Sequence, residues 1–281
     1  MPVAPPDHEP PGWAGSRPAW RPDWGPSPDF RPSSTVVARL RRDPWVVPGG
    51  LSRARARVDL AILGLGTALL IITAEIAGGV IGPPVVGFTL DGDRFVRGVL
   101  VGLAAQWVFT LLVLALVRPG VGTLGLRPER LRQHLGWGAL GAAAMLVVAS
   151  TLGMLLAKLT GSPDDGFITD VRNPPALGVA IGLAAAVSVT AALSEEVVFR
   201  ALLLGRLHTA GVPPLVAIGL SAAVFGALHY PQGAVGIAVV TVLGGILAIM
   251  LVLRRSLVAG IVAHFLYDVF VLVLLALAIG A

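Results

Sequence analysis

Beyond residue 58 the chain is a succession of apolar runs long enough to cross a bilayer, and this limits its folding more than anything else. A hydrocarbon core about 30 Å thick takes about 20 apolar helical residues to cross. Inside that core a helix satisfies its own backbone N–H and C=O groups. Seven spans can be read: 58–81, about 96–117, about 136–159, 175–204, 214–229, 233–253 and 257–279. Their ends carry stop signals: Pro83-Pro84, Arg118-Pro119-Gly120, Pro231 and Arg254-Arg255. The fifth span is short, and the fourth is long enough to tilt or break. The expectation is an all-α, polytopic membrane helix bundle of seven or eight transmembrane helices.

Composition agrees. Of 281 residues, 55% are hydrophobic and 13% charged, against about 25% charged in soluble domains. In such a chain a net charge of +5 bears on orientation, and no nucleic-acid partner is expected. No cysteine is present, which excludes disulfides, thiolate nucleophiles and cysteine metal sites. Lys158 is the one lysine among 21 basic residues. That bias, with abundant Ala, Gly, Val and Pro, suggests a GC-rich bacterial source.

Residues 1–50 differ from the rest, holding twelve of 22 prolines and four of six tryptophans. So proline-rich a segment builds neither bundle nor ladder, and it reads as a disordered cytoplasmic tail. It has no apolar segment of signal-peptide type, so the first membrane helix is expected to act as the targeting signal. Basic segments alternate with acidic or uncharged ones. The tail through Arg57, the loop 118–134, Arg206 with His208, and Arg254-Arg255 are basic. The segments with Asp91 and Asp93, with Asp164, Asp165 and Asp170, and Tyr230-Pro231-Gln232 are not. Positive residues favour the cytoplasm, which puts the N-terminus inside, the C-terminus outside, and the chain in the cell membrane.

Ionisable residues inside spans are costly, about 2.5–3.5 kcal/mol each at mid-membrane, and ask for a function. His8, His134 and His208 fall in the tail or in basic loops, where solvation is the default reading. Asp59 sits at a helix end and can reach the interface. Glu75 is isolated in span one. The others form three clusters. On span four, Glu196 and Arg200 share a face, and Glu195 points about 100° away from Glu196. On span five, Phe225 and His229 share a face. On span seven, His264 and Asp268 do. Singly, these read as a structural ion pair, an interfacial histidine and a helix-stabilising hydrogen bond. Together, in the last third of the chain, they suggest a polar pocket.

Glu195-Glu196-Val197-Val198-Phe199-Arg200 has the form EExxxR, Phe225-Gly226-Ala227-Leu228-His229 the form FxxxH, and His264-Phe265-Leu266-Tyr267-Asp268 the form HxxxN/D. In this order, on separate membrane helices, they resemble the CPBP family of intramembrane metalloproteases. That family comprises CAAX proteases and bacteriocin-processing enzymes, also called Abi, with type II CAAX prenyl endopeptidases as eukaryotic relatives. The resemblance spans about 175–270, within a transmembrane domain of 51–281. It implies that Glu195 and His229 activate a water against a peptide carbonyl. His264 and position 268 would stabilise the oxyanion, and Glu196, Arg200 and Phe225 would support the site. The chemistry is coherent, because amide hydrolysis needs a base for water and donors aimed at the developing oxyanion.

Position 268 departs from the pattern, since prenyl endopeptidases tend to have asparagine there. An ionised aspartate cannot donate. Asp268 is therefore protonated, or accepts from His264, or serves a metal. Glu195, His229 and His264 with an open position would suit catalytic zinc, although no HExxH is present; the metal stays open here. Depth sets a further condition. Glu195 lies about 15 Å and His264 about 10 Å from the cytoplasmic ends of their spans, and His229 about 22 Å. They meet only if span five tilts or begins deep. The expected function is intramembrane peptide-bond hydrolysis, with the bilayer and a peptide or membrane-protein substrate as partners. The alternatives are a non-catalytic membrane scaffold and a proton-coupled transporter, the latter opposed by the lack of an internal repeat.

Overall fold

The computed structural model describes residues 51–81, 89–119, 124–126, 130–161 and 170–279. The tail 1–50 lies outside them, as does the side chain of Glu75. The described residues form seven helices: α1 (Arg53–Ile81), α2 (Gly92–Val117), α3 (Leu131–Thr160), α4 (Leu177–Thr209), α5 (Pro214–Ala227), α6 (Gly233–Arg254) and α7 (Leu257–Ile279). Five stretches are long and apolar enough to cross a membrane: α2, α3, α4, Tyr230–Arg254 and Leu257–Ala278. This is a multi-pass membrane protein turned apolar side out. Leu111, Leu140, Val147 and Leu159 are exposed, while Asp59, His134, Glu196, Arg200, Arg206 and His264 are buried.

A two-stranded parallel pair, β1 (Thr89–Asp91) and β2 (Asp170–Arg172), joins the segments before α2 and α4. At three residues each, these strands leave no periodicity in the sequence. Asp91 ends β1 and N-caps α2, accepting from the Asp93 N–H.

The opposite ends of these helices meet at the basic side of the bundle. Asp59 on α1 accepts from Arg55 Nε and from Arg206 Nε on α4, both at 2.8 Å. Arg55 also donates to the Leu116 and Val117 carbonyls, which the end of α2 leaves without intrahelical partners. The Leu257 N–H donates to Gly125 O. The start of α1, the end of α2 and the end of α4 therefore share one end of the bundle. Two expectations are corrected here. Asp59 is fully buried between two arginines and does not reach the interface. His134 is buried in the first turn of α3 and is not solvated.

Span four neither breaks nor stays regular. It is α-helical over Leu177–Glu195, π-helical over Glu196–Leu204 and α-helical again over Gly205–Thr209. Stretches of i→i+5 bonding are rare and collect at functional sites. The π stretch is the hub of the core. Val198, Phe199 and Leu202 pack with Leu63 of α1, Val113 of α2 and Phe225 of α5. Ala201 and Leu204 pack with α5, α6 and Leu257 of α7. Ser221 on α5 donates to Phe199 O, giving that backbone a partner outside its own helix.

Candidate active site

Glu195 ends the α-helical part of α4 and Glu196 opens the π stretch. The change of ladder between them sends the two carboxylates to different neighbours. Glu196 is fully buried, and its Oε1 faces Arg200 Nη1 at 3.3 Å and His264 Nδ1 at 3.1 Å. A carboxylate oxygen accepts, so His264 Nδ1–H donates to Glu196 Oε1. That bond aims His264 Nε2 at Glu195 Oε2, 3.7 Å away, and at Asp268 Oδ2, 3.4 Å away. Three carboxylates from two helices thus surround one imidazole.

The close approach of Glu196 to α7 depends on Gly260, one turn before His264. A Cβ built there would lie 2.8 Å from Glu196 Oε2. Gly244 on α6 plays the same part for span five, where a Cβ would lie 2.9 Å from Phe225 Cδ1 and 3.5 Å from Arg200 Nη2.

Phe225 is the centre of the aromatic wall. Its ring stacks under Arg200 Cζ at 4.1 Å and meets Phe199 edge-on at 5.2 Å. It also touches His229, with centroids 4.8 Å apart, and His264, at 6.1 Å. A desolvated cation–π contact is worth about 2 kcal/mol. The contact suits Arg200, whose guanidinium nitrogens make no hydrogen bond among the described residues. With 14 residues, α5 is about 21 Å long and shorter than a bilayer core. Its C-terminal end nonetheless brings Phe225 against His264.

His229 follows the end of α5 and is half-buried. Its Nδ1 lies 2.8 Å from Phe225 O. A carbonyl only accepts, so Nδ1 carries the proton and a neutral ring keeps its lone pair on Nε2. Among the described residues His229 makes no hydrogen bond or ion pair with Glu195; the Phe225 ring links it to the rest of the site. Nor are three His, Cys, Asp or Glu side chains spaced to hold a metal ion among those residues. The set Glu195, His229 and His264 is thus not drawn together as ligands, and no step below passes through a metal.

One neighbour went unread in the sequence. Gln106 on α2 donates from Nε2 to Glu195 Oε1 at 2.9 Å. An amide inside an apolar span was the available signal. What hid the pairing was the 89 residues between the partners.

Residues 177–270 match the family model of type II CAAX prenyl endopeptidase Rce1-like proteins. No curated protein and no solved structure matches the chain. The matched segment is a third of the chain and contains all three motifs. The match implies a CAAX-protease-like endopeptidase, with a peptide substrate and a membrane setting. Over residues 177–270 the chain is thus similar to type II CAAX prenyl endopeptidase Rce1-like proteins, a resemblance that supports the CPBP/CAAX protease reading.

Proposed function

We propose that the chain is an intramembrane endopeptidase in which Glu195 and His229 activate the attacking water. The observation that carries this reading is Glu195 Oε2. It is buried, has no hydrogen-bond partner among the described residues, and lies 3.7 Å from His264 Nε2. A carboxylate oxygen left unpaired in an apolar bundle is costly, and a water at that point would satisfy it. Glu195 takes a proton from this water, helped by the lone pair on His229 Nε2. The water oxygen bonds to the peptide carbonyl carbon. His264 Nε2–H and a protonated Asp268 donate to the resulting oxyanion. The C–N bond then breaks as Glu195 returns the proton to the leaving nitrogen.

Charge supports the Asp268 assignment. Three carboxylates share the cluster with at most two cations, Arg200 and His264, and one proton held among the acids brings it to neutrality. Glu196 acts through His264 by fixing its ring. The N-terminus is read as cytoplasmic, which the alternation of basic with acidic or uncharged segments along the sequence supports. The substrate class left open is peptide or membrane protein, including bacteriocin maturation and self-immunity.

The test is direct. The protein is reconstituted in vesicles with a mixture of synthetic lipidated and membrane-spanning peptides, and fragments are read by mass spectrometry. Wild type cleaves; Glu195→Ala and His229→Ala stay folded and do not. Cleavage undiminished in either variant, or no cleavage by wild type, would end this mechanism. A scaffold would instead lose folding when Glu195 is neutralised.

A further inference from the structure

Glu195 must offer one particular oxygen to its water, yet a carboxylate on a free side chain exchanges its two oxygens by rotation. Here the rotation is blocked from outside the family-matched segment. Gln106 Nε2 holds Oε1 at 2.9 Å and leaves Oε2 as the oxygen that faces His264. The next residue, Trp107, donates from Nε1 to Thr190 Oγ1 on α4 at 3.1 Å. Two consecutive residues of α2 therefore dock onto α4, but only one of them touches the candidate base.

An amide in an apolar span costs free energy unless it is bonded. An apolar residue would pack α2 against α4 without that cost. The function of the amide is then sought in what it does to Glu195. We propose that Gln106 is a positioning residue that locks Glu195 Oε1, so that Oε2 alone serves as the base. The proposal rests on the reading of Glu195 given above.

The test uses full-length protein in vesicles and the peptide that wild type cleaves fastest in the mixture. Gln106→Leu removes the donor. Gln106→His keeps an N–H at a similar reach. Trp107→Phe removes the neighbouring α2–α4 bond without touching Glu195. Misplacing a catalytic group by about 1 Å costs about 100-fold. Gln106→Leu is accordingly expected to lower kcat by about 10-fold to 100-fold with KM within about twofold. Gln106→His should recover most of the loss, and Trp107→Phe should keep the wild-type kcat. Gln106→Met replaces the leucine variant if the latter does not fold.

Wild-type kcat in Gln106→Leu, beside an inactive Glu195→Ala, overturns the positioning role and leaves the protease reading standing. An equal fall in Trp107→Phe also overturns it, because helix docking would then explain the loss. Full activity in Glu195→Ala removes both readings together.

Discussion

Two buried carboxylate clusters occupy this bundle, and they are built in opposite ways. At the basic end, Asp59 is fully enclosed, and each of its oxygens receives one arginine Nε at 2.8 Å. One of those arginines also satisfies the carbonyls that end α2. In the other cluster Gln106 holds Glu195 Oε1 at 2.9 Å, but the contacts among Glu195, Glu196, Arg200, His264 and Asp268 run from 3.1 to 3.7 Å. Among the described residues Glu195 Oε2, Glu196 Oε2 and the Arg200 nitrogens there make no hydrogen bond. Burial of charge is common to both. What separates them is bonding capacity: Asp59 has used its own, while the second cluster keeps some in reserve. Buried polar atoms are nearly always bonded, so unspent capacity distinguishes a site of chemistry from a structural clasp.

Separate substitutions can break that contrast. Glu195→Ala should produce the largest effect, a fall in turnover of up to about ten-thousand-fold with the thermal unfolding midpoint in detergent unmoved. Asp59→Ala should do the reverse. The buried Arg206 and the exposed Arg55 lose their anion, and stranding the buried one costs about 3–5 kcal/mol, read as a lowered unfolding midpoint. Turnover per folded molecule should stay at the wild-type level. If Asp59→Ala instead abolished turnover at full stability, the two clusters would be functionally one.

Smaller effects sharpen the comparison. Gly260→Ala pushes a methyl group against Glu196 Oε2, and overpacking of this kind costs about 1–3 kcal/mol. Stability and turnover should fall together, because the same shift loosens the Glu196–His264 bond; both can be measured on one preparation. Asp268→Asn should change least. Its amide donates without needing a proton, so turnover should remain within about threefold of wild type, whereas Asp268→Ala should lose activity. A large loss in Asp268→Asn would show that the aspartate works as an anion.

Helix existence and order were legible because a bilayer allows apolar runs few other solutions. α1 to α7 cover the seven apolar runs, five of them long and apolar enough to cross a membrane among the described residues, with starts at Arg53, Gly92 and Leu131 earlier than the runs suggested. The three motifs were legible as one-turn spacings, and the Glu196–Arg200 and His264–Asp268 pairs form as those spacings require. Contacts between helices were not. Asp59 finds Arg206 across 147 residues, and Glu196 finds His264 across 68. No local pattern encodes such pairings. The π stretch was equally hidden, because an i→i+5 ladder is chosen by packing around Phe199 and Phe225 and leaves no mark in composition. His229 marks the edge of what spacing could predict: it reaches the site through the Phe225 ring, with no direct bond to Glu195.

The π stretch makes α4 a helix with two rotational phases. Above it, Thr190 and Glu195 are locked to α2 through Trp107 and Gln106. Below it, Arg206 is locked to α1 through Asp59. Removing one residue from 196–204 would return the ladder to i→i+4 with both anchored ends kept in phase, while the side chains between them would turn by up to about 100°. The clasp at the basic end and the grip on Glu195 would then hold, but Glu196 and Arg200 would no longer face His264 and Phe225. In length, though not in composition, this stretch is the most constrained segment of the chain: it tolerates many apolar side chains but no change in their number.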